Sequence, residues 1–125
     1  MGDVKKAEYT RTCAVFNNAG KRIGGTRKQA TMGEVLCGGL FGVHEEGGYG
    51  GYAVLTHIPT GRSIGHSFKT KGRAKRCARA LMKLDIDWTF TTLVEWNAIR
   101  SGPEYARAKK IIETWSHNEP DVESQ

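Results

Sequence analysis

The chain predicts an α+β fold: an antiparallel sheet of about four strands, packed by one amphipathic helix and followed by a C-terminal helical pair. Three observations predict it. Runs of strand formers separated by turn residues fill the first half. A 3.6-residue apolar period appears only beyond residue 70, and two helix-start signatures follow it. At 125 residues the chain is one domain by length, able to bury roughly two-thirds of the surface its unfolded form exposes.

Residues 1–8 are polar and expected to be loose, as are residues 117–125. Thr10 to Phe16 is rich in strand formers, and Asn17-Asn18-Ala19-Gly20 supplies a turn. Lys21-Arg22-Ile23 starts the returning strand, whereas Gly24 to Met32 shows no readable pattern. Glu34 to Val43 mixes apolar residues with glycines and fits either a strand or a short buried helix. Gly47-Gly48-Tyr49-Gly50-Gly51 reads as a mobile loop.

The next unit is the clearest. Tyr52 to His57 is a strand by its β-branched and aromatic content. Ile58-Pro59-Thr60-Gly61 places Pro second and Gly fourth in a type I turn, and Arg62 to Phe68 returns. That register sets His57 opposite Arg62 and Ala53 opposite His66, which leaves the two histidines about 13 Å apart along the strands.

Thr70 is positioned as the N-cap of a helix from Lys71 to Leu84. At about 100° per residue, Ala74, Cys77, Ala78, Leu81 and Leu84 share one face, and Lys71, Lys75, Arg76, Arg79 and Lys83 cover the other. Cys77 and Leu81 are therefore expected inside, Lys75 and Arg79 outside. Thr92-Leu93-Val94-Glu95 matches a capping box opening a helix to Arg100. Ser101-Gly102-Pro103-Glu104 matches a second, ahead of a stripe formed by Tyr105, Ala108, Ile112 and Trp115.

Charge is the most informative property. Between Arg62 and Lys83 stand eight of the nineteen Lys and Arg residues and no acid. Eleven cations against thirteen acids elsewhere leave −2, so one short region generates the whole surplus of +6. A field focused in this way attracts nucleic acid, nucleotides or an acidic protein face. Arg62, Lys69, Lys71, Arg73, Lys75, Arg76, Arg79 and Lys83 are the expected phosphate contacts. Charged helix faces are usually only solvated, but they usually mix signs, and this one does not. Tyr49, Tyr52 and Phe68 lie near the strip. Strand aromatics commonly pack, so Tyr49, flanked by glycines, is the expected stacking residue.

Other classes of chemistry lack their patterns. Cys13, Cys37 and Cys77 form no CxxC pair, and no phosphate-binding glycine motif is present. No GxSxG elbow appears, and Asp85 with Asp87 reads more simply as a helix stop than as paired carboxylates. His44 with Glu45 and Glu46 has no second histidine near in sequence. Neither metal, cofactor nor enzymatic activity is expected. There is no apolar run of membrane-spanning length and no signal-type apolar segment at the N-terminus, so a cytoplasmic location and no membrane partner are expected.

Tyr52 to Leu84, with His57-Ile58-Pro59-Thr60-Gly61-Arg62 and Ser67-Phe68-Lys69-Thr70-Lys71-Gly72-Arg73-Ala74, resembles hairpin–helix units in small proteins of phages and mobile elements. The Ser67-Phe68-Lys69-Thr70-Lys71 run also resembles the arm-type DNA-binding domains of tyrosine recombinases, in which a small sheet docks against one helix. The glycine-rich first half and two further helices depart from the recombinase pattern. The resemblance implies a phage-type accessory protein that acts by binding and blocking. Three functions remain open at this point. The first is a non-enzymatic nucleic-acid-binding accessory protein. The second is a counter-defence inhibitor set against an acidic host surface, and the third is sequestration of a small anionic nucleotide between Gly47–Gly51 and the basic strip.

Overall fold

The computed structural model describes residues 4–17, 19, 21–46, 51–64 and 67–116. Five strands, β1 (Lys5–Phe16), β2 (Arg22–Leu36), β3 (Phe41–Glu46), β4 (Tyr52–His57) and β5 (Arg62–Ser63), form one antiparallel sheet in the order β1-β2-β3-β4-β5. Three helices follow: α1 (Lys71–Met82), α2 (Leu93–Arg100) and α3 (Tyr105–Ser116). The fold is α+β with a C-terminal helical pair, and no helix is long and apolar enough to cross a membrane.

Several local expectations need correcting. β1 begins at Lys5, inside the segment expected to be loose, because its backbone pairs from Lys5↔Val35 onward. The patternless stretch from Gly24 to Met32 is strand. Ile23 to Lys28 are exposed whichever way they point, so the period-2 signal that marks a half-buried strand has nothing to mark. Gly24 and Gly25 sit at φ 83° and 72°, where the β1–β2 register shifts between Ala14 and Phe16. That is a bulge, and glycine tolerates its backbone at no steric cost.

Glu34 to Val43 is neither one strand nor a helix. Cys37, Gly38 and Gly39 all take positive φ and turn the chain between β2 and β3, so that Leu36 pairs with Phe41. The return after Gly61 is also shorter than expected. β5 holds only Arg62 and Ser63, and Ala53 then bridges to Phe68 instead of His66, which itself lies outside the described residues.

The turn joining β4 to β5 forms as read. Gly61 N–H donates to Ile58 O at 3.1 Å, and His57 faces Arg62. Thr70 caps α1 by accepting from Arg73 N–H, and Thr92 with Glu95 closes the reciprocal box at α2. The second expected box does not form. Ser101 instead ends α2, its hydroxyl donating to Asn97 O, and α3 begins at Tyr105.

Strand alternation gives the sheet two different faces. One carries Leu36, Phe41, Val43, Ala53 and Leu55, and buries them against Ala74, Cys77, Ala78 and Leu81 of α1 and Ala108 and Ile112 of α3. Each large side chain fully buried there is worth roughly 1.5–3 kcal/mol. Burial pushes the Cys77 thiol up to about 12, so it packs as an inert apolar group. Beyond α1, Trp88, Phe90 and Trp96 close one end of this core around His57.

The opposite face is polar and covered by the protein's own first hairpin. Gly33 and Gly42 leave it bare, and the Tyr9 ring fills the space a Cβ would take at either position. Past Tyr9, Thr12 N–H donates to Gly61 O at 2.7 Å, so β1 reaches the β4–β5 turn and the sheet curls towards closure.

Candidate nucleic-acid interface

The basic segment divides into four environments. On one flank of α1, Lys71 and Lys75 both bind Glu34 of β2, at 2.8 and 2.7 Å. Their hydrogen bonds, Lys71's the larger, hold the Glu34 carboxyl down to about 2. Lys75, expected outside, is thus half-buried and paired. The basic stretch does have an acid, supplied from a strand 37 and 41 residues earlier.

On the other flank, Arg73 ends α3. Its Nε donates to Trp115 O at 2.8 Å and its Nη2 to Thr114 O at 3.0 Å. These are carbonyls of the last helical turn, where orphaned acceptors and the negative dipole end favour a cation. Its guanidinium also lies 5.3 Å from the centre of the Trp115 ring, with that of Arg76 at 5.9 Å. Arg73 is therefore a strut between α1 and α3.

The apex of α1 points away from the sheet. Arg76, Arg79 and Lys83 fall there at one per turn, all exposed, over about 10 Å of helix axis. Cys77 and Leu81 lie directly behind them in the core, as the periodicity requires. Lys69 is exposed just ahead of the Thr70 cap. Arg62 is half-buried beside Phe90 and Trp96, in a small crevice at α2. Four of the eight expected contacts are thus exposed cations on or next to α1. Phe68 is fully buried and offers no ring face, Tyr52 is exposed with its hydroxyl donating to Glu46, and Tyr49 lies outside the described residues.

The covered face of the sheet holds a chain of polar side chains. Glu46 binds Arg11 at 3.0 Å and accepts from His44 Nε2 at 3.0 Å. That leaves His44 Nδ1 to accept from the Tyr9 hydroxyl, at a long 3.3 Å. Together these side chains form a carboxylate–imidazole–hydroxyl series. Burial pushes the Tyr9 hydroxyl up to about 12, so it keeps its proton. The arrangement joins β1 to β3. Among the described residues no three His, Cys, Asp or Glu side chains converge as a metal site would need. Asp87 accepts from the backbone and hydroxyl of Thr89, a turn-forming role.

A cleft of about 280 Å³ opens between β2, β3 and the start of α1, and its lining includes Lys6 and Lys71 together with Glu34 and Glu45. Two cations against two anions give a phosphate little net field.

One basic element is concealed by whole-chain bookkeeping. Between Glu8 and Glu34 stand Arg11, Lys21, Arg22, Arg27 and Lys28, and no Asp or Glu. Averaged with the acidic remainder this run vanishes into −2. A window of about 25 residues would have found it. Compared with known protein families, with curated proteins and with solved structures, the chain matches none.

Proposed function

We propose that this protein is a non-enzymatic nucleic-acid-binding accessory protein. Its principal contact is the outward ridge of α1, formed by Arg76, Arg79 and Lys83, with Lys69 at its N-terminal end. The observation that carries the reading is the line of exposed cations, Arg76, Arg79 and Lys83, along the outward side of α1 and its C-cap. Lys71, Lys75 and Arg73 serve the ridge indirectly, by fixing α1 to β2 and α3.

Charge reversal of Lys69 and Lys83 tests it. Binding to DNA or RNA falls, while thermal stability stays nearly unchanged because both side chains are exposed. If the four exposed cations each engage a phosphate of duplex DNA, log Kd varies with log salt at a slope of magnitude about 3.6. A wild type that shifts no duplex or single strand at about 50 mM salt overturns the reading.

One observation favours a second reading, an inhibitor seated on an acidic protein surface. Trp115 is half-buried and flanked by Arg73 and Arg76, and Trp and Arg are both enriched where interfaces concentrate their energy. Retained inhibition by a Trp115→Ala variant would exclude Trp115 as its anchor, and a wild type that inhibits no acidic partner would exclude the reading.

A further inference from the structure

The β1–β2 hairpin extends beyond the body of the protein. Its anchor is at Thr12, which binds Gly61 through its backbone and Thr60 O through its hydroxyl. Past that point the two strands continue to pair through Ala14↔Thr26 to Phe16↔Arg22. Four residue steps from Thr12 to Phe16, at about 3.3 Å each, make a projection of about 13 Å. Asn17 closes its end, its side-chain carbonyl accepting from Ala19 and Lys21 N–H.

A sheet-forming segment normally buries at least one face. Here Ile23 to Lys28 are exposed in succession, so β2 meets solvent on both of its faces. A two-stranded ribbon is marginal on packing grounds, and a strand wet on both faces gains too little from burial to explain its length. Its charge is one-signed. Arg27 stands opposite Cys13 and Lys28 opposite Thr12, so consecutive cations point to opposite faces, and Lys21 stands at the tip.

We propose that this ribbon is a second nucleic-acid contact, inserted into the major groove of duplex DNA, with Lys21, Arg27 and Lys28 reaching the phosphates on either side. A ribbon lying flat on a polyanion needs cations on one face only. One standing between two phosphate-lined walls needs them on both, and that is the observed arrangement. The major groove is about 12 Å wide and about 8.5 Å deep, so it admits a two-stranded ribbon and is shallower than the projection. Ile23, 58% exposed, supplies an apolar contact of the kind a thymine methyl accepts. The inference rests on the nucleic-acid reading above but not on α1, whose ridge lies on the other side of the sheet.

The test compares the wild type, a ribbon variant (Lys21→Gln, Arg27→Gln, Lys28→Gln) and a ridge variant (Arg76→Gln, Lys83→Gln). Anisotropy is measured with one mixed sequence of about 20 base pairs as duplex DNA, as duplex RNA and as single-stranded DNA. With three phosphate contacts removed, the ribbon variant should bind duplex DNA at least about tenfold more weakly, with a salt slope shallower by about 2.7. Duplex RNA, whose major groove is too narrow to enter, should lose less than about twofold. Wild type should also protect guanine N7 from methylation, and the ribbon variant should not.

Equal losses on all three nucleic acids would overturn groove insertion. An unaffected ribbon variant beside an impaired ridge variant overturns this inference and leaves the α1 reading standing. The reverse pattern supports the ribbon and overturns the ridge. A wild type that binds none of them overturns both. Unchanged melting temperatures confirm that all three proteins are folded.

Discussion

His57 is fully buried and still titratable, which makes its surroundings legible as a proton ledger. Nε2–H donates to Trp88 O at 2.7 Å, so Nδ1 is the acceptor and takes the Thr60 hydroxyl at 2.9 Å. Phe90 stacks on the ring at 4.2 Å. Burial lowers the folded affinity for a second proton below the ordinary 6.5 and outweighs the Trp88 carbonyl, which raises it. Below about 6.5 the unfolded chain therefore binds more protons than the folded one, and stability is lost as pH falls through that window. In melts between pH 8 and 5, the wild type should lose part of its advantage over His57→Gln below pH 6.5. Parallel profiles for the two proteins would remove His57 as the cause. The sequence predicts the turn that holds this histidine, but its pairing with Trp88, 31 residues away, has no local mark.

At the scale of elements, α1, α2, β4 and the turn after β4 were legible because their signals are local. Apolar spacing, a capping hydroxyl and a Pro–Gly turn each act within four residues. The clasp between α1 and β2 was not, since Glu34 lies outside any window containing Lys71 and Lys75. Glu34→Gln tests that clasp in two ways. Glu34 has its folded affinity for a proton lowered from 4.5 to about 2, so it contributes stability above 4.5 that disappears as pH falls towards 2. The variant's stability deficit at neutral pH should accordingly close over that range in urea titrations. Releasing two lysines should also tighten nucleic-acid binding and steepen the salt slope by up to about 1.8. Unchanged affinity would mean that Lys71 and Lys75 are out of reach of the bound polyanion.

For the whole molecule, closure of the sheet depends on two absent side chains. A Cβ on Gly42 would come within 2.5 Å of the Tyr9 ring, and one on Gly33 within 2.5 Å of Val43 O. Gly42→Ala should therefore cost about 1–3 kcal/mol in chemical denaturation, as overpacking does. Combined with Tyr9→Ala it should cost less than the two changes summed, because the colliding ring is gone. Strict additivity would show that the ring does not sit on Gly42. Neither glycine is distinguishable by sequence from the other fourteen.

By itself the sequence determined the α+β class, the amphipathic α1 with Cys77 and Leu81 inside, the capped α2 and the concentration of charge between Arg62 and Lys83. These follow from interactions between residues a few positions apart. Tertiary structure decided where each cation points. It spent Lys71 and Lys75 on Glu34 and Arg73 on the end of α3, left Arg76, Arg79 and Lys83 outward, and extended a basic ribbon that whole-chain charge conceals. The reason is that a charge is neutralised by whatever lies within a few ångströms of it in space, and chain folding alone determines that neighbour.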